Sequence, residues 1–142
     1  MPLEDLDGDR AGTGCMWGEV NTTIHQRLGC LGTVTNGSVR DVDDNAPGFQ
    51  ILAGGVVPSR AHTWITGFGR PVTVHGMEVH HGDLVHADQH GAVRIPAPLV
   101  DQVLAAADTV TRRERALLAT VRADSFTAAG LREAFRASDE IH

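Results

Sequence analysis

A helix-like segment followed at once by a strand-like segment constrains the fold more than any other feature of this sequence. Apolar side chains recur there at every fourth position: Met16, Val20, Ile24 and Leu28. This spacing predicts one stripe of an amphipathic helix, and Gly29 is its expected C-terminal stop. The stretch from Leu31 to Thr35 predicts a short buried strand, and Asn36-Gly37 predicts a turn. A helix that runs out and a strand that runs back return the chain to its starting point.

Charged residues lie at both ends of this segment. Glu19 stands near its start, and after twenty further residues come Arg40 and Asp41, with Asp44 close behind. Arg40 and Asp41 are expected just past the carboxyl end of the predicted strand, at the edge where open layered folds bind ligands. We therefore expect the three carboxylates and the guanidinium to converge on one site.

This set of side chains is typical of metal-assisted chemistry on a small oxo-acid. A hard cation such as Mg²⁺ is often held by one or two carboxylates plus waters, and Asp41 with Asp44 or Glu19 suffices for that. The planar fork of Arg40 suits a substrate carboxylate or an oxyanion. The alternative is structural: Arg40 pairs with the acids of its own solvated loop, Asp41, Asp43 and Asp44.

The composition limits the class of function. The 142 residues carry a formal net charge of -6, and the sequence pI near 5.7 gives no basic surface for nucleic acid or an anionic membrane. The N-terminus lacks a signal-peptide pattern, and no stretch approaches the roughly 18 consecutive apolar residues of a membrane span. Cys15 and Cys30 form no CxxC unit. We expect a soluble cytoplasmic protein that binds neither nucleic acid nor membrane.

The rest of the chain predicts one domain over residues 1–142. Residues 1–15 are expected to be a loop-like start, 16–122 the core, and 123–142 a C-terminal helix and tail. Further strands are predicted at Phe49–Val56 and, as antiparallel pairs, between Val72 and Ile95. Helices are predicted from Pro98 onward and around Ala128 to Arg136.

The histidines of the β-rich half do not predict a zinc site, because their spacing matches no standard zinc motif. They are His75, His80, His81, His86 and His90. Asp83 and Asp88 are expected to cap turns. Cys30 is expected to be a small core residue without a nucleophilic role.

Several stretches of the chain together resemble the RraA-like family. They are WGEVNTTIHQRLGCLGTVTNGSVRD, FQILAGGVVPSR, PVTVHGMEVHHGDLVHADQHGAVRIP and the Ala-rich C-terminal helix. An acid, twenty residues and then Arg-Asp is the most specific element of the likeness. The family includes class II 4-hydroxy-4-methyl-2-oxoglutarate aldolases, oxaloacetate decarboxylases and regulators of ribonuclease activity. The resemblance implies an α/β fold of the layered β/β/α, swivelling-domain-like kind, and a homotrimer with active sites near subunit interfaces.

The resemblance also implies roles for individual residues. The family's metal ligand falls on Asp41, and the arginine that contacts the pyruvyl group falls on Arg40. The acid that orients the water on the metal falls on Glu19, and some members carry a further acid at the position of Asp44. The Gly-rich loop that offers backbone N–H groups to the substrate carboxylate corresponds to residues 12–18. Gly18 ends this loop, and Val20 and Asn21 follow the acid at the expected helix N-terminus, where an anion is favoured.

The implied reaction is carbon-carbon bond cleavage dependent on Mg²⁺ or Mn²⁺. Retro-aldol cleavage and oxaloacetate decarboxylation both leave a pyruvate enolate, which a cation and Arg40 stabilise. Glu19 stands where many aldolases have aspartate, and Asn36 stands where the turn usually has aspartate. Family members usually carry several dozen further N-terminal residues, so the chain is expected to be an N-terminally short member. The competing expectation is a protein-binding regulator without activity, or an inactive truncated homologue.

Overall fold

The computed structural model describes residues 1–6 and 12–141; residues 7–11 of the predicted loop-like start lie outside the described residues. The described chain divides into two compact units, Met1–Ile95 and Pro96–His142. The segment 16–122, which was predicted to be the main part of one domain, therefore includes residues of both units.

In the described part of the first unit, one helix, α1 (Glu19–Arg27), lies among short strands. The strands that the structure describes are β1 (Pro2–Leu3), β2 (Cys15–Trp17), β3 (Gly32–Thr35), β4 (Ser38–Val39), β5 (Gln50–Leu52), β6 (Gly55–Val56), β7 (Val72–Val74), β8 (Met77–Val79), β9 (Leu84–Asp88) and β10 (Gly91–Ile95). One parallel sheet has the order β1-β3-β5 and a second parallel sheet has the order β2-β4-β6. The strands β7-β8 and β9-β10 form antiparallel hairpins. Parallel sheets together with helices confirm the predicted α/β class.

Most predicted elements are present, with different boundaries. The strand expected at Leu31–Thr35 is β3, and the expected strands between Val72 and Ile95 are the two hairpins. The single strand predicted over Phe49–Val56 is instead two strands, β5 and β6, which belong to different sheets. Strand β4 was missed because two residues after a turn give no alternation to detect. The start is not wholly loop-like, because Pro2–Leu3 pairs with β3.

The apolar stripe predicted for the first helix does not face the protein interior. Met16 lies in β2 and not in the helix, whereas Val20, Ile24 and Leu28 are 64%, 47% and 75% exposed. The buried residue of α1 is Thr22, which is fully inaccessible to solvent. The inner face of α1 contains a polar residue, Thr22, because its hydroxyl makes hydrogen bonds there. The apolar residues of the helix lie on the other, exposed face, so hydrophobic periodicity could not identify the buried face.

The second unit is a helical hairpin. A 3-10 turn at Ala97–Leu99 leads into α2 (Val100–Val121), and α3 (Ala128–Asp139) follows, as the sequence predicted. The hydroxyl of Thr127 accepts a hydrogen bond from the backbone N–H of Gly130 (3.0 Å) and caps α3. Arg113 donates from Nε to the carbonyl of Ile141 (2.9 Å), near the C-terminal end of α3. Among the described residues, no helix is long and apolar enough to cross a bilayer.

The buried cluster of the first unit lies between β2, β4 and the loop that precedes β5. It consists of Trp17, Val39, Ala46 and Phe49. The rings of Trp17 and Phe49 lie 5.6 Å apart between centroids, within the range of favourable aromatic contacts. This cluster fixes the strands from which the candidate site begins.

Phe49→Ala is expected to lower the free energy of unfolding by about 3–5 kcal/mol, because Phe49 is buried and its removal leaves a cavity beside Trp17. Phe68→Ala is the matched control, since Phe68 is 91% exposed; its effect is expected within about 0.5 kcal/mol. Urea unfolding measures both. Equal effects would contradict the assigned core.

Candidate active site

The candidate site lies where two neighbouring parallel strands end. Strand β2 ends at Trp17 and strand β4 ends at Val39, and these two residues are paired in register. The backbone N–H of Arg40 donates to the carbonyl of Trp17 (3.0 Å), so the pairing continues one residue past β4. Gly18 and Arg40 therefore leave the sheet side by side at its carboxyl edge, where ligands bind in folds of this class.

This pairing explains the spacing of twenty residues between Glu19 and Arg40. The chain leaves β2, forms α1 and β3, bends at Asn36-Gly37 and continues as β4 beside β2. The side-chain amide of Asn36 donates to the carbonyl of Asp5 (3.0 Å) and fixes this bend. A register shift between Cys15 and Trp17 leaves Met16 without a counterpart on β4. The twenty residues between Glu19 and Arg40 are thus those of one helical crossover, which brings β4 into register beside β2.

Gly18, Arg40 and Asp41 are in direct contact. Nε of Arg40 donates to Oδ2 of Asp41 (3.0 Å), and their side chains are 24% and 38% exposed. A Cβ atom on Gly18 would lie 2.6 Å from Oδ2 of Asp41 and 3.2 Å from Nε of Arg40. The first separation is shorter than real Cβ contacts and the second is tight, so a side chain at position 18 would displace Asp41 from its place against the backbone. The backbone of Gly18 is fully extended, so the requirement is steric and not conformational.

The guanidinium of Arg40 is held from two sides. Its NH1 group lies 3.9 Å from Sγ of the buried Cys15, and that thiol donates to the carbonyl of Ser59 (3.2 Å). The hydrogen bond to Asp41 raises the pKa of Arg40 above its ordinary value, so the side chain stays cationic throughout the physiological range. In the described part of the chain, NH2 of Arg40 has no hydrogen-bond partner. The arginine is therefore oriented and still has donors for an anionic ligand.

Asp41 has an unusual backbone conformation. Its φ is +52°, in the left-handed region that Asp and Asn tolerate better than most residues. The carbonyl of Asp41 accepts from the N–H of Asp44 (3.0 Å), which closes a tight turn. This turn directs the acidic loop away from β4 directly after the arginine.

The donor chemistry at Asp41 fits a hard divalent cation. Asp41 has a partly exposed carboxylate, and within the described residues its Oδ1 atom accepts no hydrogen bond. Mg²⁺ needs only one or two protein carboxylates when waters complete its coordination. Across residues 1–6 and 12–141, no three His, Cys, Asp or Glu side chains are grouped to hold a metal ion. The expected set of Glu19, Asp41 and Asp44 is thus not one preformed group, and Asp41 is the member in contact with Arg40.

The remaining predicted site residues lie next to these three. Glu19 is exposed and begins α1 directly after Gly18, where a carboxylate is favoured by the helix dipole. The first backbone bond of the helix runs from the N–H of Thr22 to the carbonyl of Gly18 (3.0 Å). The N–H groups of Val20 and Asn21 thus precede the helical bonding pattern. The side-chain amide of Asn21 donates to the carbonyl of Met16, so it supports the loop.

Sequence reasoning missed two supporting residues, Thr22 and Asn45. The Nδ2 atom of Asn45 donates to the carbonyl of Arg40 (3.2 Å), and its Oδ1 atom lies 3.2 Å from the hydroxyl of Thr22. The hydroxyl of Thr22 also accepts from the N–H of Ala46 (3.0 Å). A threonine four residues after a helix N-cap, as Thr22 is after Gly18, commonly bonds to backbone, but a partner on a distant loop leaves no signal in the sequence.

The other acids singled out in the sequence have local roles. Asp83 accepts from the backbone N–H of His80 and Asp88 from that of His90, both at 2.8 Å, which confirms that they cap turns. These backbone bonds lower the pKa of both carboxyls below their ordinary value. Cys30 is half-buried and packs against the Trp17 cluster, as expected of a small core residue.

Known proteins resemble this chain in sequence or in fold. Protein DlpA of Legionella pneumophila subsp. pneumophila is 25% identical over 92 residues, which are 63% of this chain and 15% of that protein. RraAS2 of Streptomyces coelicolor, described as an unusual member of the RNase ES inhibitor RraA protein family, has a TM-score of 0.62 and 28% identity. The match covers 80% of this chain and 59% of RraAS2.

An uncharacterized protein from Pseudomonas syringae pv. tomato shares the fold, with a TM-score of 0.75 at 23% identity. The match covers 96% of this chain and 62% of that protein. This chain therefore spans less than two thirds of the length of each of these three proteins.

The model of the RraA-like family, described as Aldolase/RraA, matches residues 6–94. That range is more than half of the chain and includes both strands of the site, α1 and the Arg40-Asp41 pair. The resemblance noted in the sequence is confirmed, and this chain belongs to the RraA-like family.

Proposed function

We propose that this protein is a divalent-metal-dependent lyase that forms a pyruvate enolate. Its substrates would be pyruvyl aldols of the 4-hydroxy-4-methyl-2-oxoglutarate type, oxaloacetate, or both. The observation that carries the proposal is the contact of Arg40 and Asp41 with Gly18 at the carboxyl edge of β2 and β4. Membership of a family that includes such lyases supports it. A cytoplasmic location belongs to the same proposal.

Asp41 would hold Mg²⁺ or Mn²⁺, with Asp44 or Glu19 contributing through water. When bound, the cation supplies Lewis-acid stabilisation of the negative charge that develops on the substrate. A site with few protein ligands fits this use, because waters and substrate oxygens complete the coordination of Mg²⁺.

Arg40 would bind the 2-oxo acid and stabilise the enolate oxygen. Its orientation by Asp41 and Cys15 is set before substrate arrives, so little reorganisation is needed as charge develops. The N–H groups of Gly18, Val20 and Asn21, at the start of α1, would receive the substrate carboxylate. Glu19 would orient the water that takes the hydroxyl proton of the aldol.

Association of several copies belongs to the same proposal. Members of the family form trimers with sites near subunit interfaces, so a homo-oligomer of this chain would complete its substrate pocket.

A second candidate function is regulation of a ribonuclease by protein contact, without catalysis. The likeness to RraAS2, from a family named for an RNase ES inhibitor, favours it. The retention of Arg40 and Asp41 in contact at Gly18 favours the lyase, because contact with a protein partner does not require that pair. Metal-dependent turnover by the purified protein would show that it is not solely a regulator.

Arg40→Ala is expected to lower kcat for oxaloacetate decarboxylation by about 100-fold or more, by analogy with the loss of one oxyanion donor. Arg40→Lys retains the charge but loses the planar fork, so it should recover only part of the rate. Steady-state kinetics with Mg²⁺ test this after the rate with free metal alone is subtracted. Wild-type kcat in a folded Arg40→Ala variant would refute the proposed role.

Asp41→Asn is expected to abolish measurable Mn²⁺ binding. Asparagine keeps the shape and tolerates the left-handed backbone of position 41, so the change removes mainly the negative charge. Asp43→Asn is the matched control on the same exposed loop and should bind Mn²⁺ nearly as the wild type does. Calorimetric titration with Mn²⁺ distinguishes them. Equal affinities for the two variants would show that the cation does not bind through Asp41.

Gly18→Ala is expected to weaken Mn²⁺ binding by about tenfold or more, because the new methyl group displaces the side chains of Asp41 and Arg40. Only side-chain atoms are crowded, so the protein should still fold. Gly55→Ala is the control, since a Cβ there meets Ser38 Oγ at an ordinary 3.5 Å. Calorimetry and thermal unfolding report the two effects separately. Unchanged affinity in Gly18→Ala would mean that the close approach has no functional part.

A further inference from the structure

We infer that Thr22 and Asn45 are positioning residues that hold Arg40 and Asp41 in their working arrangement. Thr22 lies on α1 and Asn45 lies on the loop after β4, and together they form what we term the Thr22–Asn45 clamp. The inference rests on the proposed function only in naming the reaction for which Arg40 and Asp41 are held. The clamp itself is defined by contacts that involve neither metal nor substrate.

Thr22 is the central member of the clamp. It is fully buried, and its Oγ1 atom accepts from the N–H of Ala46. The hydroxyl proton has three acceptors within reach: the carbonyls of Gly18 and Glu19, both at 3.0 Å, and Oδ1 of Asn45 at 3.2 Å. One hydroxyl thus joins the first turn of α1 to the loop that follows the arginine.

Asn45 extends the connection to the backbone of the site. Its Nδ2 atom donates to the carbonyl of Arg40, while the N–H of Asp44 donates to the carbonyl of Asp41. The peptide groups on both sides of the Asp41 Cα are therefore fixed. These two bonds hold the left-handed backbone at Asp41, a conformation that is costly and persists only where its surroundings impose it.

The clamp also sets the distance between α1 and the acidic loop. Oδ2 of Asp41 lies so close to Gly18 that it has no room for a Cβ, and Nε of Arg40 bonds to the same oxygen. If the loop moved away from α1, the Asp41 carboxylate and the guanidinium would move with it. Thr22 and Asn45 thus act through Arg40 and Asp41 and need not touch the substrate.

The test compares Thr22→Val, Thr22→Ser and Asn45→Ala with the wild type. Valine has the shape of threonine without the hydroxyl, and serine restores the hydroxyl. Thr23→Val is the matched control, because Thr23 is the neighbouring residue of α1 and is exposed. If Thr22→Val fails to fold, Asn45→Ala still tests the clamp, since Asn45 is only half-buried.

The primary measurement is the ¹⁵N NMR signal of the Arg40 Nε–H group and its exchange with water, assigned with Arg40→Lys. We expect Thr22→Val and Asn45→Ala to shift this signal and speed its exchange, and Thr22→Ser and Thr23→Val to leave it near that of the wild type. In the same proteins kcat for oxaloacetate should fall on the order of tenfold, with a smaller change in KM, as for other supporting residues around a metal.

The outcomes separate the clamp from the proposed reaction. An unchanged Arg40 signal in folded Thr22→Val and Asn45→Ala would overturn the clamp, whatever the activity. A wild-type protein without turnover or Mn²⁺ binding would reject the proposed lyase, and the Arg40 signal would still decide whether the clamp exists. A shifted signal with unchanged kcat would overturn its role as a positioning device for the reaction.

Discussion

The parallel pairing of β2 with β4 is the interaction on which the rest of the site depends. It places Trp17 beside Val39 and extends one hydrogen bond further, from Arg40 to the carbonyl of Trp17. Two segments that are twenty residues apart in sequence are thereby adjacent where both leave the sheet. The aromatic contact of Trp17 with Phe49 lies directly behind this pair and stabilises it. The site residues Gly18 and Arg40 therefore directly follow the core residues Trp17 and Val39.

Uncharged side chains fix the backbone of the acidic loop that begins at Asp41. The loop that begins at Asp41 carries three aspartates in four positions, and like charges so close together favour a spread, solvated loop. The amide of Asn45 and the hydroxyl of Thr22 bond to backbone instead, and their bonds do not depend on ionisation. The geometry around Arg40 should therefore be less sensitive to salt than the charge of the loop suggests.

The sequence predicted the crossover and the residues at its two ends, because the Asn36-Gly37 turn and the apolar strand before it leave clear local patterns. It did not predict the direction in which α1 faces. The stripe of Val20, Ile24 and Leu28 is exposed, and the inner face contains a threonine whose partners are fixed only by the fold. Strands of two residues, such as Ser38–Val39, are defined by their neighbours and not by periodicity. The Arg40-Asp41 pair was found through spacing, whereas its support by Asn45 depends on a tertiary contact.

The left-handed backbone of Asp41 restricts what natural variation can place at that position. Glycine, asparagine and aspartate are the residues that this conformation accepts at low cost, and of these only aspartate carries a negative charge. One substitution among the permitted residues, to asparagine, would keep the turn and remove the charge. Under the proposed function, this one substitution would remove the carboxylate that holds the cation while the fold is retained. Reading position 41 in newly sequenced relatives thus separates members that retain the charge from those that keep only the architecture.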